Sequence, residues 1–106
     1  MKHFVLDIDM DNEKYLRFCE TIEMPEENGV RYRFLCGNGI EASVVKFKGT
    51  YGYRDDLWEM AILYEEDLLY IDEFQDGPIG YMDDKEVNEM LRTIRGRNYE
   101  AYDISS

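Results

Sequence analysis

The chain has few of the residues on which most catalytic and metal sites depend. It contains one histidine and two cysteines, Cys19 and Cys36, which lack the close spacing of a zinc or redox motif. None of its three serines has the glycine-flanked setting of a hydrolase nucleophile, and no glycine-rich phosphate loop is present. We therefore expect no catalytic residue, no metal site and no cofactor, and we place the chain among the non-enzymes.

Long apolar runs are also missing. The amino-terminal segment reaches Asp7 before the apolar stretch of a signal peptide has formed, and no later stretch is long enough to span a bilayer. Together with the scarcity of cysteine, this pattern predicts a cytoplasmic protein, located in a host cell, with two reduced thiols. A disulfide between Cys19 and Cys36 is the alternative.

Basic residues are scarce in one third of the chain. Between Asp55 and Glu89 there are thirteen acidic residues and one base, Lys85, whereas the 54 residues before this acidic window carry nine acids and eight bases. Almost all of the net charge of −12 therefore lies in the window. Such an acidic surface repels nucleic acid and anionic membranes and attracts basic partners. We expect a basic protein partner and no direct contact with nucleic acid or membrane.

Two short acidic segments match parts of known metal-binding sequence motifs. Residues 7–11 carry aspartate at alternate positions, as an EF-hand loop does, but Asn12 and Phe18 stand where that loop needs glycine and glutamate. Residues 81–84 spell the catalytic motif of reverse transcriptases, yet they precede a helical pattern on a chain far too short for a polymerase. We interpret the first motif as the end of a strand followed by a helix cap, and the second as a helix start.

The first third of the chain predicts a strand and a helix. Apolar residues over 3–8 indicate a short strand, and Asp11 is placed to cap a helix that ends before Pro25. A polar turn over 26–29 follows. The apolar face of the helix would be formed by Tyr15, Phe18, Cys19 and Ile22.

A β-hairpin is predicted next. Residues 30–36 alternate as a strand does, and Asn38-Gly39 is a strong signal for a two-residue hairpin turn, which sets the register of the two strands. In that register the apolar face carries Val30, Tyr32, Phe34, Cys36, Val45 and Phe47, and the polar face carries Arg31, Arg33, Val44 and Lys46.

The rest of the chain predicts a second hairpin and a helix. Strands over 57–64 and 68–74 are joined by a turn at Glu66-Asp67, and a loop follows over 75–80. Asp83 with Glu86 three residues later forms a capping-box pattern, and Gly96 is placed to end the helix in a left-handed conformation. The apolar stripe of this helix comprises Val87, Met90, Leu91 and Ile94.

These elements predict an α+β fold of order β-α-β-β-β-β-α. Because the sheet and both helices each have one apolar face, they bury those faces against each other. The expected architecture is a two-layer sandwich, with a mostly antiparallel sheet of four to five strands and two helices on one face. A single domain would cover residues 1–96, and residues 97–106 would form a polar tail.

The acidic window supplies the candidate binding surface. Alternate residues of a strand are about 7 Å apart, as are successive phosphates of a DNA strand, so carboxylates on a strand would fit a groove built for phosphates. The predicted partner-binding residues are Asp55, Asp56, Glu59, Glu65, Glu66, Asp67, Tyr70, Asp72, Glu73, Asp76, Asp83 and Asp84, with Glu86 and Glu89 on the same surface.

Alternative interpretations of this surface remain open. The carboxylates would be merely solvated, or part of their charge would be used in cross-strand pairs between Glu59 and the lysines Lys46 and Lys48. Tyr70 and Phe74 are expected on the acidic face. Tyr51 and Tyr53, in a glycine-containing loop, would be interface anchors or plugs at the ends of the sheet.

Two segments carry a resemblance to known proteins. Residues 58–63, followed by residues 77–91 with their Ile-Gly-Tyr-Met-Asp-Asp-Lys-Glu-Val helix start, resemble small accessory proteins of bacteriophages and mobile elements. Many small acidic proteins of this kind are anti-CRISPR or anti-restriction inhibitors that occupy the nucleic-acid groove of a host defence nuclease. The resemblance implies such a role and no catalytic residue.

The leading functional hypothesis is therefore a non-enzymatic acidic inhibitor, a DNA mimic that binds the nucleic-acid groove of a defence nuclease such as Cas9. An immunity protein for a basic nuclease toxin would need the same electrostatics with a different partner. A small regulatory module whose charge is incidental is the third hypothesis.

Overall fold

The computed structural model describes residues 3–15, 17–24, 29–37 and 39–97. Its helices are α1 (Met10–Tyr15) and α2 (Asp84–Arg95). Its strands are β1 (Arg17–Met24), β2 (Gly29–Gly37), β3 (Ile40–Lys46), β4 (Trp58–Tyr64), β5 (Asp67–Leu68) and β6 (Ile79–Met82). Short 3₁₀ turns lie at Tyr53–Asp55 and Asp72–Phe74.

The six strands of the described residues belong to one antiparallel sheet. Strands β1 to β5 follow one another in sequence order, and β6 also pairs with β4. Because β3 occupies one side of β4, the other side is shared by β5, which pairs at Leu63 and Tyr64, and β6, which pairs at Trp58 and Met60. The predicted α+β fold, with an antiparallel sheet and two helices, is confirmed.

The core lies between the sheet and α2. Strand β4 contributes Trp58 and Met60, both fully buried, and α2 contributes Val87, Leu91 and Ile94. The predicted stripe of α2 is thus confirmed, with Met90 partly buried beside it. Each large apolar side chain removed from water stabilises the fold by about 1.5–3 kcal/mol.

The sequence predicts a capping box at the start of α2 and a left-handed glycine cap at its end. At its start, the Asp83 carboxylate accepts from the Glu86 amide at 2.8 Å and the Glu86 carboxylate accepts from the Asp83 amide at 3.1 Å, so the capping box is confirmed. At its end, Gly96 has φ −83°, and the predicted left-handed cap is wrong. The chain instead continues in a right-handed turn, in which the Arg97 amide donates to the Ile94 carbonyl at 3.2 Å.

The predicted strand over residues 3–8 is wrong. Residues 3–9, here called the N-terminal strap, form no strand pairing and are held mostly by side chains. The Leu6 amide donates to the Tyr32 hydroxyl at 3.2 Å, and that hydroxyl donates to the Phe4 carbonyl at 2.9 Å. Both sides of β4 are already paired, one with β3 and the other with β5 and β6, so the strap cannot pair with this central strand.

Two buried asparagines attach the strap and α1 to α2. The Asn88 side chain donates to the Asp7 carbonyl at 2.7 Å and accepts from the Asp9 amide at 2.9 Å. The side chain of Asn12, which is fully buried, donates to the Asn88 carbonyl at 2.8 Å. These bonds satisfy polar groups that would otherwise be costly to bury.

The predicted helix from Asp11 to Pro25 is correct only in its first turns. Helix α1 ends at Tyr15, and β1 begins at Arg17 and pairs along its length with β2. Asp9, not Asp11, caps the helix, since its carboxylate accepts from the Asn12 amide at 2.9 Å. Aromatic and β-branched residues favour a strand once a partner strand is available, and here β2 supplies it. Pro25 and the turn after it lie outside the described residues.

The first hairpin forms where predicted but in a different register. Tyr32 faces Val44 and Phe34 faces Ala42, because a bulge between Leu35 and Gly37 shifts the pairing by one residue. A shift of one residue moves every side chain to the other face of the sheet. Val44 and Lys46 therefore lie on the core face, and the prediction that they share the polar face is wrong.

The second hairpin differs mainly after its turn. The turn residues are Glu65 and Glu66, with φ of 51° and 72°, one position earlier than predicted, and β5 is only two residues long. Phe74 was expected on the acidic face but is buried, because the 3₁₀ turn points it into the core. The predicted loop over 75–80 runs into β6 at Ile79.

Candidate protein-interaction surface

The carboxylates of the acidic window differ in what surrounds them. Asp56 is paired with Lys46, whose side chain is 1% exposed, at 2.9 Å. The ammonium also donates to the His3 carbonyl at 2.6 Å and lies 4.2 Å from the centre of the Trp58 ring. Asp56 accepts from the His3 amide at 2.7 Å. These contacts attach the N-terminal strap to the sheet, so Asp56 has a structural role.

The pKa of Asp56 reflects this environment. Burial is the largest single influence and raises the pKa, but the hydrogen bond from the His3 amide and the charge of Lys46 together outweigh it. The pKa of Asp56 is therefore lower than that of a free aspartate, and the carboxylate stays ionised beside the lysine.

Two further carboxylates are paired with Arg97, just after α2, which offsets one of their two negative charges. Its guanidinium binds Asp72 and Glu73, each at 2.6 Å. The hydrogen bond from Arg97 is the main reason that the pKa of Glu73 is lowered. This cation comes from beyond the acidic window in sequence and attaches the 3₁₀ turn to the end of α2.

Four further carboxylates are engaged in hydrogen bonds that shape the fold. Asp83 and Glu86 form the capping box of α2. Asp84 accepts from the Trp58 indole at 2.7 Å and from the Asp7 amide at 2.9 Å. Glu59 accepts from the Tyr51 amide at 2.9 Å. The expected pairing of Glu59 with Lys46 is wrong, because Glu59 faces Val45 and Lys46 points to the other side of the sheet.

The remaining six carboxylates of the window are exposed and form no hydrogen bond or ion pair with another described residue. Three of them are consecutive and occupy the β4–β5 connection. Because Glu65 and Glu66 both have positive φ, the chain reverses tightly there and presents the three side chains to solvent. The six are Asp55, Glu65, Glu66, Asp67, Asp76 and Glu89.

Exposed apolar side chains lie next to the consecutive carboxylates. Leu68 is 42% exposed and Tyr70 is 56% exposed. The Tyr70 ring lies near Gly77, since a Cβ atom on Gly77 would approach it to 3.5 Å, and the exposed Asp76 directly precedes Gly77 in the chain. We call Glu65–Leu68, Tyr70 and Asp76 the acidic edge. An aromatic and an aliphatic side chain surrounded by charge are typical of protein interfaces.

The predicted binding residues do not form one continuous patch. Asp55, Asp56 and Glu59 lie at the Trp58 end of β4, and Asp83 and Asp84 lie at the same end, because Trp58 pairs with Met82. The acidic edge begins beyond Tyr64, at the opposite end of β4, about 20 Å away along the strand. Of the predicted residues, the acidic edge contains Glu65, Glu66, Asp67, Tyr70 and Asp76.

Two features of these surfaces were not foreseen. Leu68 was assigned to a long strand, and it is exposed because β5 stops after two residues. The sequence pattern predicts a helix start that includes Tyr81, yet Tyr81 lies in β6 with φ 59° and is 58% exposed. Gly77 and Gly80, on either side of Pro78-Ile79, were the available signal, since glycine often marks an irregular strand.

Metal sites and membrane-spanning helices find no support in the described part of the chain. No group of three histidine, cysteine, aspartate or glutamate side chains is arranged to hold a metal ion there. None of the described helices has the length and apolar character needed to cross a bilayer. No family model, curated protein or solved structure matches the chain.

Proposed function

We propose that this chain is a non-enzymatic acidic inhibitor that binds the basic groove of a nucleic-acid-binding protein through the acidic edge. The observation that carries the proposal is the group of three consecutive exposed carboxylates at the β4–β5 turn, which have no cation beside them among the described residues and are flanked by Leu68 and Tyr70. Outside the acidic edge, most carboxylates of the acidic window are used in hydrogen bonds or ion pairs of the fold, and Asp55 and Glu89 are exposed without a partner among the described residues.

The electrostatics of this edge favour a basic groove. Charges held within a Debye length, about 8 Å at physiological salt, act together on an approaching partner. A groove that binds phosphates carries lysine and arginine, and a carboxylate cluster attracts the same side chains. Leu68 and Tyr70 would add buried apolar contact at the centre of the interface, where a few residues carry most of the affinity.

The partner in the narrower form of the proposal is a host defence nuclease such as Cas9. This step rests on the resemblance of residues 58–63 and 77–91 to small phage and mobile-element proteins. The chain would then occupy the channel that holds DNA and would prevent its entry.

A competition experiment tests the proposal. The purified chain is added to a panel of defence nucleases, Cas9–guide complexes among them, and binding is measured with and without target DNA. We expect competition with DNA and affinity that falls as salt rises. Binding that tolerates saturating DNA would contradict a groove-directed inhibitor.

A matched pair of variants locates the surface. In the triple variant Glu65→Asn, Glu66→Asn, Asp67→Asn the charge is removed, and asparagine tolerates the positive φ of the turn. We expect a loss of at least about tenfold in affinity, equivalent to about 1.4 kcal/mol. The control is Asp55→Asn with Glu89→Asn, two exposed carboxylates outside the acidic edge, and equal losses in both variants would exclude the acidic edge as the specific site.

A further inference from the structure

A pocket lies at the end of the sheet opposite the acidic edge. It has a volume of about 610 Å³ and is formed by the β3–β4 loop and one residue of β6. Small-molecule sites usually measure about 300–1,000 Å³, so this pocket has the size of a ligand site. The lining includes Lys48, Tyr51, Tyr53, Arg54, Asp55 and Tyr81.

Aromatic side chains dominate the pocket without contributing to the core. Tyr51 is 63% exposed and Tyr81 is 58% exposed, and Tyr53 also lines the pocket. The core of the protein is complete without these rings. The exposed rings of Tyr51 and Tyr81 offer flat apolar faces on which a planar ring can stack.

The charge of the pocket is opposite to that of the protein. Lys48 and Arg54 line it together with a single acid, Asp55, whereas the whole chain carries −12. Lysine and arginine bind phosphate groups through charge-assisted hydrogen bonds. A long nucleic acid would be repelled by the surrounding negative surface, but a mononucleotide carries only about two negative charges and enters a locally basic pocket.

The pocket walls are held in place before any ligand arrives. The Tyr51 amide donates to the Glu59 carboxylate at 2.9 Å, and the Leu57 amide donates to the Gly52 carbonyl at 2.9 Å. Gly49 and Gly52 have φ of 106° and 93°, and Tyr81 has φ 59°. A tyrosine in this left-handed region is strained, and such strain is concentrated at binding sites in many proteins.

We propose that this tyrosine pocket binds a small anionic aromatic ligand of the nucleoside monophosphate class. The planar base stacks on the rings of Tyr51 and Tyr81, and the phosphate is bound by Lys48 and Arg54. The site is independent of the acidic edge, which lies about 20 Å away along β4.

Titration followed by NMR of the ¹⁵N-labelled protein tests this site, with three probes at millimolar concentration: AMP, adenosine and inorganic phosphate. We expect AMP to shift the amide signals of residues 48–55 and Tyr81, with affinity at least about tenfold higher than either fragment. No shift with AMP, shifts confined to other residues, or equal affinity for adenosine would overturn the proposal.

Matched variants complete the test. Lys48→Ala and Tyr51→Ala should each weaken AMP binding about tenfold. Lys85→Ala and Tyr70→Ala remove an exposed lysine and an exposed tyrosine elsewhere and should leave AMP binding unchanged. Lys48 is exposed, so its variant keeps the fold, and unaltered AMP affinity in that variant would count against the phosphate site. Binding to a basic protein partner is measured separately, so that either proposal can fail alone.

Discussion

The acidic residues at the two ends of β4 have different environments. Asp56, two residues before the strand, is paired with a lysine that is 1% exposed and holds the N-terminal strap. Glu65 and Glu66, directly after the strand, have no ionic partner among the described residues and point into solvent. Both ends belong to the same acidic window of the sequence. The comparison teaches that charge density along a chain does not specify which charges a partner can reach.

The physical cause of the difference is the position of a single cation. The bulge in β2 turns Lys46 toward the core face, where it cannot remain without a counter-charge. An ionised group removed from water costs several kcal/mol unless it is paired and hydrogen-bonded. Asp56, the His3 carbonyl and the Trp58 ring together provide this compensation. No described cation is placed in this way beside Glu65 or Glu66.

The largest effect is expected from breaking the Lys46–Asp56 pair. Asp56→Asn keeps the shape of the side chain and tolerates φ 60°, but it leaves the Lys46 ammonium buried without a counter-charge. We expect a loss of about 3 kcal/mol in the free energy of unfolding, measured by urea denaturation.

Lys46→Met is the matched control for that variant. Methionine fills a similar volume, and the Asp56 side chain, 28% exposed, can be hydrated when its partner is gone. The loss should be less than half of that in Asp56→Asn. A larger loss in Lys46→Met would show that lysine packing, and not the unpaired charge, dominates.

An intermediate effect is expected at Arg97, and it should depend on pH. The pKa of Glu73 is lower in the folded protein than in the unfolded chain, so the pair adds stability above the unfolded pKa of about 4.3 and loses it as pH falls through the folded value. Arg97→Gln should therefore lose about 1 kcal/mol at pH 7 and progressively less below about pH 4.

The measurement is urea denaturation of the unaltered protein and of the Arg97→Gln variant between pH 7 and pH 3. Arg92→Gln is the comparison variant. Arg92 is paired with Asp9, whose pKa is also lowered, first by the Asn12 amide and only then by the arginine. In the Arg92→Gln variant, Asp9 still accepts the hydrogen bond from the Asn12 amide. The stability lost in this variant should therefore depend less on pH than the stability lost in Arg97→Gln. A loss at Arg97 that stays constant down to pH 3 would contradict the ionic explanation.

The smallest effect on stability is expected at the acidic turn. The triple asparagine variant of residues 65–67 removes three exposed carboxylates that serve no described contact, so the free energy of unfolding should change by less than about 0.5 kcal/mol. Destabilisation above about 1 kcal/mol would mean that the turn has a structural role like that of Asp56. The expected contrast is large loss of partner binding with little loss of stability.

Local patterns in the sequence predicted several elements well. Asp83 and Glu86 identified the start of α2, and its apolar stripe identified the face that packs on the sheet. The alternation in residues 30–36 located β2. In these cases the residues that determine the element are neighbours along the chain, so a short window holds the required information.

Other predictions failed where the deciding contact is distant. The stripe from Tyr15 to Ile22 satisfied a helical period, but pairing with β2 converts residues 17–24 into a strand. Because of a single bulge at Cys36, the residues of β3 that were predicted on the polar face of the sheet lie on its core face. Strand β6 was overlooked because its partner, β4, lies about twenty residues earlier and its own sequence contains glycine.

The amino-acid sequence by itself determined the strong negative charge, its confinement to residues 55–89, the main strands β2 and β4 and the capped helix α2, since these depend on composition and on neighbouring residues. Only the tertiary structure decided which carboxylates remain available. Lys46 and Arg97 reach their acidic partners through the bulge of β2 and the turn after α2, and ion pairing depends on distance in space, to which separation along the chain is a poor guide.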